Sequence, residues 1–321
     1  MITVFTFTKQ GVKHSSVSEL GTNNKCWASA VNPSHKELTE LSVHAGIPLK
    51  QLEAALDKDE RPKVHDLDNY SLIIVRTPSY EKHNIRTTPL AIFISKQKNN
   101  IITLSPKEMP SLRNITDLVQ RGKIVMNKEG ISYFMYRLLD SINERFFSIL
   151  EIIEDNIDLI EHKIVKQPGE VKAEAIFSIK KTLIFFNKAL VANREVVASI
   201  EKEFVAHIDK KNTHRFGSLY NELTQLLDMV GTYNQIMTGV LDIYVTSVSN
   251  NLNQVLKTLT VVSTFVLIPS LIAGIYGMNF RTDSPWNMPE LLWRYGYLFA
   301  LGLMAISFIA TYLYFKRKGW M

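Results

Sequence analysis

Nineteen consecutive residues, Thr258 to Tyr276, carry no charged side chain. As a helix such a run extends roughly 28 Å at about 1.5 Å per residue. That nearly matches a bilayer hydrocarbon core of about 30 Å. A helix facing only lipid is expected to be mostly Leu, Ile, Val and Phe, yet this one also carries Thr258, Thr260, Ser263, Thr264, Ser270 and Gly274. Asn253, Leu256, Thr260, Ser263, Leu267, Ser270 and Gly274 follow one another at spacings of three and four, so they share one helix face. Two uses suit a face of amide, hydroxyl and aliphatic groups. One is close packing between membrane helices, which small residues favour; the other is the wall of a narrow, partly wet axis.

A second apolar run, Tyr295 to Phe315, has no charged residue in 21 positions. Both runs exceed the length of an ordinary buried helix. Neither is placed as a signal peptide, and the opening residues MITVFTFT are too short for one and lack a basic region. The rest of the chain is rich in charge, so a C-terminally anchored membrane protein is expected. Residues 277–294, between the runs, hold Arg281, Asp283, Glu290 and Arg294 and are formally neutral, whereas Lys316-Arg317-Lys318 follow the second run. The bias of Lys and Arg toward the cytoplasm puts the tail and the N-terminal region inside and the short linker outside. The net charge of +6 comes from acidic and basic residues mixed along the chain. No basic stripe with interleaved aromatics appears, which argues against nucleic acid as a partner. A single cysteine, Cys26, leaves no intramolecular disulfide framework and fits a reducing compartment.

Along the chain, Ile2–Thr8 and Cys26–Val31 read as strands. Ser34 and Glu37 form a capping box at the start of a helix whose apolar side is Leu38, Leu41 and Val43 and which ends at Gly46-Ile47-Pro48. A helix over Leu49–Leu56 and a charged turn over Asp57–Lys63 follow, then strands at Tyr70–Arg76, Leu90–Ser95 and Ile101–Leu104, the last two joined as a hairpin by Gln97–Asn100. Ser111–Gln120 reads as a helix. From Ser132 the pattern is helical, with breaks at Gln167-Pro168-Gly169 and Asp209–Asn212. No proline occurs between Thr213 and Pro269, which predicts one continuous helix of about 60 residues, roughly 90 Å long. Such a helix needs partners for its apolar stripe, and the two preceding helices and copies of itself are the available ones.

Tyr276-Gly277-Met278-Asn279-Phe280 ends the first apolar run, and Met288-Pro289-Glu290-Leu291 lies in the linker. This arrangement resembles the CorA family of magnesium channels, whose signature is Gly-Met-Asn at the outer end of the first of two C-terminal spans. Leu241–Tyr244, Thr246–Asn250 and Asn253 resemble its stalk helix, and Trp27, Asn32-Pro33 and Asp59–Pro62 its cytoplasmic domain, so the likeness covers nearly the whole chain. The resemblance implies an α+β membrane protein with an N-terminal α/β cytoplasmic domain (1–125) and a long helical stalk (126–254). The stalk would continue into a pore-lining transmembrane helix (255–277), followed by an external loop (278–294), a second span (295–315) and a basic cytoplasmic tail (316–321). It further implies a homopentameric funnel in the plasma or inner membrane of the cell, with both termini cytoplasmic.

The same resemblance assigns roles. Five Asn279 carbonyls, with Gly277 and Met278, would form the selectivity filter at the outer mouth, and Glu290 would belong to the external loop. Mg²⁺ gives up its waters reluctantly and prefers octahedral oxygen coordination. A ring of neutral amide oxygens accepts hydrogen bonds from those waters and still lets the ion leave, as conduction requires. Asn253, Thr260, Ser263, Ser270 and Gly274 would line the path, with Leu256, Leu259 and Leu267 as hydrophobic constrictions; the register around Pro269 leaves Leu267 and Ile268 both open. Asp242 would be an acidic inner mouth, and Lys316, Arg317 and Lys318 a basic collar or an anchor to anionic lipid. Family members close when intracellular Mg²⁺ fills acidic sites between neighbouring cytoplasmic domains. Glu81 stands where one such carboxylate belongs, but its stalk partner position is Ser218, for which Glu222 or Asp228 would substitute. Mg²⁺ is then both cargo and regulator, with no organic cofactor implied.

The channel would be passive. No Gly-Lys-Ser/Thr phosphate loop is present, and neither run contains a carboxylate for proton coupling. Transport of Co²⁺, Ni²⁺ or Zn²⁺ by the same architecture is the alternative within the family. A membrane-anchored structural or signalling oligomer is the alternative of another class. An enzyme is not expected, because no nucleophile elbow or metal-ligand cluster is seen.

Overall fold

The computed structural model describes residues 1–8, 11–22, 24–81, 84–124, 126–166, 171–202, 205, 208, 212–280 and 286–320; at 80, 81, 84, 127–129, 165 and 291 only the backbone is described. These residues form two compact units, Met1–Leu241 and Asp242–Met321. The predicted breaks Gln167–Gly169 and most of Asp209–Asn212, and linker residues Arg281 and Asp283, lie outside the described residues.

In the first unit seven strands make one sheet. They are β1 (Ile2–Thr8), β2 (Gly11–Ser15), β3 (Lys25–Val31), β4 (Lys63–Asp66), β5 (Tyr70–Glu81), β6 (Asn84–Ser95) and β7 (Asn100–Ser105), in spatial order β2-β1-β3-β7-β6-β5-β4. The β3–β7 pair is parallel and every other pair antiparallel. Helices α1 (His35–Ala45) and α2 (Leu49–Ala54) cover one face, where Leu38, Leu41 and Leu52 pack with Ala28, Leu72, Phe93 and Leu104. The other face meets α4 (Met126–Lys166): Trp27, wholly buried, lies 5.3 Å from the Phe5 ring and 5.0 Å from Phe134, and its indole N–H donates to Thr103 Oγ1 at 3.1 Å. Helices on both sides of the sheet explain why β7 is buried along its whole length.

Several predicted elements have the expected cause. Ser34 accepts from the Glu37 N–H while the Glu37 carboxylate accepts from the Ser34 N–H at 2.8 Å, and Gly46 closes α1 at φ +71°. Val43, expected on the apolar side of α1, is 74% exposed, because it is two residues from Leu41 and so falls off the Leu38–Leu41 stripe. Strands β2 and β4 were not expected. Both are short edge strands of polar sequence, with no apolar alternation to reveal them. The β5–β6 hairpin also continues past Arg76, to Glu81 and Asn84. Its extra rungs bury hydroxyls that bond to one another or to α3 (Pro110–Gln120): Ser79 to Thr88 at 3.2 Å and Thr77 to Ser111 at 3.4 Å.

A short helical stretch from Met126 precedes the main run of α4, which begins beside the expected Ser132; Gly130 separates the two, at a φ of +79° that only glycine adopts without strain. Helix α5 (Ala173–Glu201) packs against α4, with Phe146 edge-on to Phe186 at 5.1 Å. Helix α6 (Thr213–Tyr276) runs 64 residues and continues through Pro269. Within the first unit it buries Phe216, Leu219, Leu223, Leu226, Val230 and Met237, a helical stripe completing that core. The second unit holds the remainder of α6 and α7 (Gly296–Arg317).

Candidate ion pathway

Both α6 and α7 contain stretches long and apolar enough to cross a bilayer, and those stretches are largely exposed. Their mutual packing decides which face of α6 stays open. Phe265 meets Phe308 at 4.7 Å and Phe315 at 6.3 Å, and Val261 is buried. At the C-terminal end of α7, Lys257 Nζ donates to the Gly319 carbonyl at 3.2 Å and sits 5.4 Å from the Trp320 ring centre. Lys257, Val261 and Phe265 thus mark the centre of the face that α7 covers, and Thr260, Thr264 and Ile268 line the groove beside it. At about 100° per residue, the direction of Asn253, Leu256, Thr260, Ser263, Leu267, Ser270 and Gly274 lies roughly 130° around the helix from that centre.

All seven of those residues are exposed, and so is Leu259. Toward its N-terminal end the seam borders α7: Thr260 lines a groove with Thr311 and Phe315, and Asn253 and Leu256 lie in another with Gly319 and Trp320. Leu267 is 68% exposed on the seam, whereas Ile268 lines the groove toward Thr311 and Phe315. The Thr260 hydroxyl donates to the Leu256 carbonyl at 2.8 Å, which occupies its proton and leaves its oxygen an acceptor. An acceptor-only hydroxyl suits the waters around a cation.

The signature residues follow directly on α6. The Gly277 N–H bonds to the Ala273 carbonyl at 2.9 Å and the Met278 N–H to Ile275 at 3.2 Å, which ends the helix in a tight turn. A Cβ on Gly277 would stand 3.1 Å from the Ala273 oxygen, so the glycine serves close approach. Asn279 is exposed just beyond. The Tyr276 hydroxyl donates to Glu290 Oε1 at 3.1 Å, and Met288, at φ +46°, turns the chain into the 3₁₀ turn Pro289–Leu292 that carries Glu290. Sequence reasoning singled out Glu290 but not its tyrosine partner, nor Lys257, whose only signal was that it borders the charge-free run.

The other predicted residues are more scattered. Asp242 is exposed on α6, and Lys316, Arg317 and Lys318 are exposed at the end of α7, with Lys316 5.7 Å from the Tyr312 ring centre. Glu81 ends β5 opposite Asn84, and its side chain is outside the described residues. Ser218 and Asp228 are exposed on α6. Glu222 is half-buried and accepts from Asn143 Nδ2 at 3.1 Å. Burial pushes its carboxyl above the usual range, with the neighbouring charges of Asp140 and Glu144 adding to the rise. Among the described residues no group of three or more His, Cys, Asp or Glu side chains is arranged to hold a metal.

An α/β unit with long helices, two apolar stretches of bilayer length and an exposed polar seam followed by Gly-Met-Asn define a membrane transport protein. The chain belongs to the CorA-like Mg²⁺ transporter family, whose profile matches residues 23–317. It is 30% identical over 326 residues to the "Cobalt/magnesium transport protein CorA" of Methanocaldococcus jannaschii, covering all of both chains. It is 31% identical to the protein of the same name from Thermotoga maritima, across 86% of this chain and 77% of that one. The complete structure of the M. jannaschii CorA magnesium transporter superposes with a TM-score of 0.85 at 27% identity, covering 100% of this chain and 99% of that one.

Proposed function

We propose that this protein is a gated Mg²⁺ influx channel, driven by the membrane potential, in which the α6 seams of five copies surround one pore. The observation that carries this reading is the seam itself, exposed from Asn253 to Gly274 and continuous with Gly277-Met278-Asn279. Five Asn279 amides select the hydrated ion at the outer mouth, and the Tyr276–Glu290 hydrogen bond holds the external loop against that mouth. Leu256, Leu259 and Leu267 form rings that close the path by expelling water. Five Asp242 carboxylates gather cations at the inner mouth, and the Lys316–Lys318 collar lies at the cytoplasmic headgroups. A divalent ion gains about 4.6 kcal/mol across 100 mV, so no coupled energy source is needed.

Intracellular Mg²⁺ closes the channel through sites that include Glu81. Glu222 contributes only if it leaves Asn143 to reach a neighbouring copy. Co²⁺ is the second cargo, a reading supported by the two relatives named cobalt/magnesium transport proteins.

The test is reconstitution in liposomes holding a Mg²⁺-sensitive dye, under an inside-negative potential. Influx above that of empty liposomes is expected, and its absence refutes the channel. Asn279→Ala is expected to abolish or de-select the flux with the oligomer intact, and unchanged selectivity removes the amide ring from the filter. Raising internal Mg²⁺ to millimolar levels is expected to close the wild-type channel but not Glu81→Ala; normal closure of that variant removes Glu81 from the sensor.

A further inference from the structure

Apart from the ion path, the first unit contains a cavity of about 470 Å³ between the β5–β6 hairpin and α5, within the usual size range of small-molecule sites. Lys58, Arg76, Arg86, Lys107 and Lys181 line it, with Asp59 the one acidic residue among the described lining. These cations come from five separate segments, and Lys58, Arg86 and Lys181 among them are exposed, so the cavity presents a wall of positive charge.

Arg76 makes the case concrete. Its guanidinium donates to the carbonyls of Lys58 at 3.1 Å, Glu60 at 2.8 Å and Thr87 at 2.6 Å, and to Thr87 Oγ1 at 2.9 Å. All four acceptors are uncharged, so the group is held rigidly and half-buried, with the charge of Asp59 partly offsetting its own. Phe185, 42% exposed, presents its ring to the same cavity, and Lys181 Nζ lies 6.0 Å from its centre. A distributed cationic wall suits several phosphates, and an exposed ring beside a lysine suits a stacked base.

We infer that this cavity binds a nucleoside polyphosphate, its phosphates against Arg86, Lys181 and Lys58 and its base on Phe185.

The test uses the full-length protein in detergent with EDTA present, titrated with ATP and separately with tripolyphosphate. Saturable ATP binding is expected, tighter than that of tripolyphosphate. Lys181→Glu and Arg86→Glu each are expected to weaken it about tenfold or more. Phe185→Ala should bring ATP down to the affinity of tripolyphosphate without changing the latter. On the unmutated protein, ATP is expected to shield Lys58 and Lys181 from acetylation, read by mass spectrometry. The inference is overturned by absent or non-saturable ATP binding, by charge-reversal variants that bind normally, by tripolyphosphate binding as tightly as ATP, or by equal acetylation with and without ATP. Arg86 and Lys181 are exposed, so their replacement leaves the core untouched.

Discussion

Asn193→Ala tests how the long hairpin is tied to the helices. Asn193, on α5, is 3% exposed, its Oδ1 accepts from the Arg76 N–H at 2.8 Å and its Nδ2 donates to the Arg76 carbonyl at 2.7 Å. Strand β4 pairs with β5 only over Ser71–Ile74, so beyond Ile74 that edge of β5 has no neighbouring strand among the described residues. The asparagine amide supplies the donor and acceptor that a strand would have offered. Truncation leaves both backbone groups of Arg76 without a partner, at about 1–3 kcal/mol each. Because the contact is only part-buried, water recovers some of this, and a loss of about 2–4 kcal/mol is expected. For a unit of 241 residues, Met1–Leu241, that corresponds to a fall of roughly 5–15 °C in melting temperature, at about 2–4 °C per kcal/mol. Differential scanning fluorimetry of the purified full-length protein reads it directly. Asn193→Asp keeps the acceptor but sets a carboxylate against the Arg76 carbonyl, so it should fall as far. A shift under about 2 °C for the alanine variant refutes the strand-replacement argument.

Glu222→Gln keeps an acceptor for Asn143 but removes a carboxylate whose ionised form burial disfavours. An acid whose folded pKa is raised weakens the fold as pH climbs from its unfolded value through the folded one. The variant's gain in melting temperature over wild type should therefore be larger at pH 8 than at pH 4.5, and an equal gain at both rejects the buried charge. Gly277→Ala places a Cβ 3.1 Å from the Ala273 oxygen, and the turn must yield by a few tenths of an ångström. A partial loss of Mg²⁺ flux with assembly preserved is expected in liposomes, and full flux shows that the filter tolerates the shift. Leu267→Ser puts a hydroxyl where a hydrophobic ring is proposed; higher flux at millimolar internal Mg²⁺ is expected, and unchanged closure moves the constriction elsewhere.

Much of the architecture was legible because its signals are local. Charge-free runs, a capping box and a long proline-free interval depend only on neighbouring residues, and α1, α6 and α7 formed about where those signals lay. The edge strands β2 and β4 left no such trace. A strand exposed on its edge is held by backbone hydrogen bonds, which any polar sequence can make. The outer half of the β5–β6 hairpin stayed hidden for a related reason: Ser79 and Thr88 are buried bonded to each other and Thr77 is buried bonded to Ser111, a pattern that reads as surface.

The sequence by itself determined the two apolar helices, the seam between Asn253 and Gly274, and the signature that follows it, because covalent order and helical periodicity place those residues without reference to anything else. Only the tertiary structure decided which face of α6 is occupied. The seam could have packed α7, and no periodicity distinguishes that use from an open one. Phe265 against Phe308 and Phe315, together with Lys257 against Trp320, centre the α7 contact away from the seam's direction, with Thr260 at the edge the two share. Likewise no local pattern announces that Tyr276 will meet Glu290, or that cations from five segments will converge around Phe185, since both depend on how distant stretches of backbone come together.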